Sequence, residues 1–146
     1  MDFDTQVKLA IYRHFATTAV RPSAATVAAQ LNVEPQAVLD AFHRLRAQRM
    51  LVLEEDSESI RMAPPFSGMP TQHVVTADGL LYFANCAWDA LGIVAALHKP
   101  AVVHSRCEGS AEPLRLRVGL DGPEASDWVF HCLVPAAQWW ADIVFT

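Results

Sequence analysis

Apolar residues recur every three to four positions through the first sixty residues, then every second position. Val7, Ile11 and Phe15 fall at i, i+4 and i+8, one stripe that predicts a helix over residues 5–16. Arg21-Pro22-Ser23 interrupts it, and Ser23 is placed to cap a second helix reaching Leu31. Asn32 and Val33 turn the chain. Glu34-Pro35 opens a third helix, with proline in the first turn where its missing N–H costs nothing. This helix is expected to run to about Met50 with Val38, Leu39, Phe42 and Leu45 inward. Short strands at 50–53 and 60–62, joined by the acidic loop 54–58, complete a winged-helix-like pattern over residues 1–63.

Pro64, Pro65, Gly68 and Pro70 mark residues 64–72 as a linker. Beyond it the period changes. Strands at 73–77 and 80–84 flank Asp78-Gly79, a strong hairpin signal. Residues 86–97 form a helix apolar on most sides and so expected to be buried. Strands follow at 101–104 and 114–118, then at 128–134 and 143–145, with a helical turn at 136–140. Trp128, Trp139 and Trp140 are expected to cover the resulting sheet. The predicted class is α+β: a winged-helix-like unit, then residues 73–146 as a small mixed sheet around one central helix.

Composition narrows the partners. With 52% hydrophobic and 18% charged residues the chain is globular. Asp89, His98 and Lys99 interrupt the longest apolar stretches too early for a bilayer span, so no membrane association is expected. The opening Met-Asp-Phe-Asp is acidic where a secretory signal is basic, and a cytoplasmic location is the expectation. The third helix carries His43, Arg44, Arg46 and Arg49. However, the net charge is −5 and the loop at 54–58 is acidic, which argues against nucleic acid as a partner. Three cysteines without a CxxC spacing make no disulfide framework and are read as free thiols.

Chemistry concentrates at Asn85-Cys86-Ala87-Trp88-Asp89. Asn85 follows a strand and precedes a helix, the setting of an N-cap. Cys86 would then lie in the first turn, where free amides and the helix dipole favour a thiolate. Asp89, three residues on, shares its face. The pair suits capture of a soft metal and relay of a proton. The spacing alone is also met by a filler cysteine and a dipole-compensating aspartate. His104 and Cys107 have a His-x-x-Cys spacing but lack the further ligands zinc needs. His98 follows a helix end, where a charged imidazole is favoured. His131 and Cys132, adjacent on a strand, would face opposite ways, which weakens a His–Cys dyad.

Leu80-Leu81-Tyr82 leading into Cys86-Ala87-Trp88-Asp89-Ala90-Leu91 resembles the Cys-x-x-Asp segment of organomercurial (alkylmercury) lyases. Val103-His104-Ser105-Arg106-Cys107, Gly109 and Pro113-Leu114-Arg115-Leu116 are similar to the family's next loop and strand. The resemblance spans nearly the whole chain, the N-terminal unit included. It implies an organometal substrate, with Cys86 as first thiolate and mercury ligand, Asp89 as proton shuttle and second metal-side group, and Cys107 as structural. It implies no required cofactor, with Hg(II) as the retained product. Trp88 and Tyr82 become candidate substrate-pocket residues.

The family's second catalytic cysteine has no clear counterpart. One match places it just beyond Thr146, implying a chain shortened within its sheet; another places it on Ala125 or Ser126. Cys132 substitutes only if its side chain faces the helix start. Two other functions therefore stand beside carbon–mercury protonolysis. One is a binding protein for a metal, organometal or small molecule on the same scaffold. The other is a winged-helix ligand-sensing regulator.

Overall fold

The first two helices start where a side chain satisfies a free amide, and the third starts on a proline that has none to satisfy. α1 (Phe3–Thr18) opens on Asp2, which accepts the Thr5 amide at 2.9 Å and the Thr5 hydroxyl at 2.8 Å. α2 (Ala24–Leu31) opens on Ser23, as predicted, through a 3.0 Å bond from the Thr26 amide, and it ends at left-handed Asn32. α3 (Pro35–Ala47) stops three residues short of Met50, because Arg49 takes a left-handed conformation. These bounds come from a computed structural model that describes residues 1–146. Val7, Ile11, Phe15, Val27, Val38, Phe42 and Leu45 are buried together between the three helices, while Leu39 lies at the edge of that core.

A first antiparallel sheet follows, with order β1-β2-β3, from β1 (Val52–Leu53), β2 (Ile60–Ala63) and β3 (Phe66–Ser67). β3 falls within residues 64–72, the expected linker. Phe66 is 2% exposed, stacks on Phe15 at 5.2 Å between ring centroids, and meets Tyr12 at 6.2 Å and Tyr82 at 5.9 Å. The prolines and glycine around it carry a turn signal that hides one deeply buried aromatic.

The second sheet has the order β5-β4-β6-β7-β8. Its strands are β4 (Val74–Ala77), β5 (Leu80–Phe83), β6 (Ala101–Arg106), β7 (Pro113–Gly119) and β8 (Gly122–Pro123). Every ladder is antiparallel, where a mixed sheet was expected. The reason is connectivity: β4–β5 and β6–β7 are hairpins, and β6 returns after the helix to pair with β4 in the opposite direction. Asp78 (φ 49°) and Gly79 (φ 76°) make the predicted two-residue turn. The helix is α4 (Ala87–Leu97), which lays Ala90, Ile93 and Val94 over the face of β4 and β6 that carries Val75 and Val103. It is not buried all round, since Trp88, Ala95 and Ala96 face outward.

The predicted strands at 128–134 and 143–145 do not form. That region holds one 3₁₀ segment, Ala136–Ala141, and is largely exposed. β8 pairs with only Val118 and Gly119 at the end of β7, and the apolar segment beyond it adds no strand there; apolar character alone names no partner strand. The tryptophans expected to cover the sheet lie in this largely exposed region. Trp139 donates its indole N–H to Val134 O at 2.8 Å within its own segment, and Trp128 is exposed. No helix is long and apolar enough to cross a membrane.

A candidate thiol and carboxylate site

The chain leaves β5 through Ala84, whose amide bonds His73 O at 2.8 Å, and enters α4 three residues later. Cys86, not Asn85, is the N-cap. Its backbone is extended (φ −153°), and its Sγ accepts the Asp89 amide at 3.5 Å. A sulfur in the cap position lies over the open amides of the first turn, closer to them than the first-turn placement expected from the sequence.

That geometry does not leave a thiolate at rest. Burial pushes the Cys86 thiol above its ordinary value and outweighs the Asp89 amide bond that pulls it down. The Asp89 charge pushes it further up, the Trp88 amide pulls it down, and the charge of Cys132 raises it again. Asp89 is also raised by burial, with the Asn85 hydrogen bond acting against that. A thiol and a carboxyl that both resist ionisation at short range suit passing one proton between them.

Asn85 and Tyr12, which the sequence did not single out as site residues, complete the surroundings. Asn85 Nδ2 donates toward Asp89 Oδ2 at 3.0 Å, Phe66 O at 3.2 Å and Pro65 O at 3.3 Å. Tyr12, reaching from α1, donates its hydroxyl to Pro64 O at 2.7 Å; burial and the nearby Asp89 charge push its pKa up to about 12. Neither role has a local sequence signal, because the backbone carbonyls that hold the two side chains lie 19 to 52 residues away.

The other candidates separate. Trp88 is 53% exposed beside Cys86, and its ring lies 5.5 Å from that of Phe130. This contact lays the segment carrying Cys132 over the start of α4. Cys132 itself is exposed. Tyr82 is no pocket residue: it is 3% exposed in the core and donates its hydroxyl to Ala16 O at 2.6 Å. Cys107 lies in the loop after β6, where its amide donates to Glu112 O at 2.9 Å. Hydrogen bonds from the Ser110 hydroxyl and then the Ser110 and Gly109 amides hold its thiol below the usual range. His104 faces outward on β6, and no group of three or more His, Cys, Asp or Glu side chains is placed to hold a metal ion.

A second polar group sits on the buried face of the same sheet. His73 Nδ1 shares a 2.7 Å hydrogen bond with Ser105 Oγ, and its Nε2 lies 3.6 Å from Glu108. Burial lowers the His73 pKa against the opposing pull of Glu108. Cavities of about 410 Å³ and 170 Å³ open elsewhere, the first at the entrances of α2 and α3 and the second under the C-terminal end of α4. Neither includes Cys86 or Asp89.

Residues 66–146, which include Asn85, Cys86 and Asp89, match the family model described as alkylmercury lyase. The chain belongs to the alkylmercury lyase family. Among solved structures, this lyase-family chain is similar to the mercury-bound form of MerB2. The two share 21% sequence identity with a TM-score of 0.60, over 84% of this chain and 68% of that one. At such identity the likeness establishes the α+β fold. It also exceeds the 81 residues of the family match, so it extends into the N-terminal part of the lyase-family chain. No curated protein matches the chain.

Proposed function

We propose that the chain cleaves carbon–mercury bonds by protonolysis, with Cys86 as the capturing sulfur and Asp89 as the proton carrier. The observation that carries this reading is the Cys86 sulfur capping α4 within hydrogen-bonding range of the Asp89 amide, with the Asp89 carboxylate close enough to raise its pKa. Thiolates are the ligands that soft metals select, and only the deprotonated sulfur ligates.

The steps balance as follows. The Cys86 thiol meets R–Hg–X, its sulfur bonds mercury, X⁻ leaves, and the thiol proton passes to Asp89. Asp89, whose carboxyl is held above its ordinary value by burial and so is a stronger base than a free carboxylate, then delivers that proton to the mercury-bound carbon. The carbon–mercury bond breaks, R–H departs, and Hg(II) stays on the Cys86 sulfur with the Asp89 carboxylate beside it. Cys132 supplies a second sulfur from the segment that Phe130 docks on Trp88. Mercury is substrate and product here, and no resident cofactor takes part. Trp88 offers its exposed face to the organic group. Residues 1–63 act as a packing module that sends Tyr12 to the site, and residues 73–146 carry the chemistry.

Incubation with an arylmercury salt and excess small thiol tests this. The expected result is catalytic release of arene and Hg(II) by the wild type, none from Cys86→Ser, and at least a hundredfold loss in Asp89→Ala. Equal release from wild type and Cys86→Ser would falsify the assignment.

The exposure of Cys132 on a segment outside the sheet favours a second reading, a binder without turnover. It predicts one mercury held per chain through Cys86 with no hydrocarbon released.

A further inference from the structure

We infer that Asn85 is a positioning residue for the acid, holding the Asp89 carboxylate toward Cys86 from a seat formed by the backbone of residues 64–66. The inference rests on the protonolysis reading for its role in the reaction, while the clamp itself is geometric.

Asn85 does not cap the helix; Cys86 does. Its carboxamide instead points Nδ2 at three oxygens: Asp89 Oδ2 and the carbonyls of Pro65 and Phe66. Two of these belong to backbone and cannot donate, so the amide is held with nitrogen inward. A flipped amide would set its own oxygen against all three. Asn85 Oδ1 is buried and unpaired as a result, a strain that a residue merely filling the turn would not keep. The seat is braced in turn. Tyr12 bonds Pro64 O, and Pro65 packs so close to Gly92 of α4 that a Cβ there would lie 3.1 Å from the Pro65 Cβ.

The consequence concerns which carboxylate oxygen reacts. Asn85 occupies Oδ2, and Oδ1 makes no hydrogen bond to the protein. One oxygen anchors the acid and the other is left to take the thiol proton and return it to carbon. Removing Asn85 lets the carboxylate rotate, which slows proton delivery without weakening capture of mercury by the sulfur.

Two measurements separate the clamp from the reaction it serves. The first is nuclear magnetic resonance of the Asn85 side-chain amide. Its two protons are expected to exchange slowly with water and to shift in Asp89→Ala; an amide that exchanges freely and ignores Asp89→Ala overturns the clamp. The second is single-turnover cleavage of an arylmercury salt by Asn85→Ala. At least a tenfold slower arene release is expected, with mercury capture at Cys86 unchanged within twofold. Cleavage at the wild-type rate, or parallel loss of capture and cleavage, overturns the positioning role. If the wild type releases no arene, the protonolysis reading fails, and the amide measurement alone decides the clamp. If Asn85→Ala does not fold, the same measurement on wild type and Asp89→Ala decides it.

Discussion

Burial opposes helix capping at Cys86, and burial prevails, so the thiol keeps its proton until mercury binds the sulfur and displaces that proton to the carboxylate. Cys107 has the opposite balance, with a half-buried thiol lowered by hydrogen bonds from Ser110. Iodoacetamide near neutral pH is therefore expected to label Cys107 well before Cys86, with Cys86 catching up only above the ordinary thiol range; peptide mass spectrometry reads both. His73 provides a stability test. Its pKa is lowered in the folded state, so the unfolded chain binds the proton more readily and stability falls as pH drops below about 6.5. Replacing His73 with Gln should flatten that part of the unfolding profile. The Cys-x-x-Asp spacing was legible because both residues sit within one helical turn. The roles of Asn85, Tyr12 and His73 were not, since each depends on a partner brought in from another element.

Elements were readable wherever local chemistry decides them. Ser23, Pro35 and Asp78-Gly79 set their own caps and turns, and those structures follow as expected. The failures are elements set by tertiary partners. β3 forms among prolines because Phe66 fills the space between Phe15, Tyr12 and Tyr82, whereas residues 128–134 stay irregular and largely exposed, with no comparable core contact to fix them. The two cases predict different costs. Phe66→Ala should lose about 3–5 kcal/mol of stability in denaturant unfolding, as for a large buried aromatic. Phe130→Ala, with its ring 44% exposed, should cost about 1 kcal/mol or less while changing how fast Cys86 is alkylated.

For the molecule as a whole, α1–α3 and both sheets share one continuous apolar core, with β3 and Tyr82 at the junction. The α+β class was legible from the change of period near residue 64, while the all-antiparallel order of the sheet was not, because periodicity does not encode strand neighbours. Amide exchange should be slowest in β6 and α4 and fast through residues 124–134, where backbone bonding is sparse. The most direct test of the central claim is one turnover of an arylmercury salt in D₂O, with the arene analysed by mass spectrometry. Protonolysis through the Cys86–Asp89 pair predicts arene carrying a single deuterium at the former mercury position, formed by wild type and absent with Cys86→Ser. Intact arylmercury recovered from the wild type, or the same deuterated arene from Cys86→Ser, contradicts it.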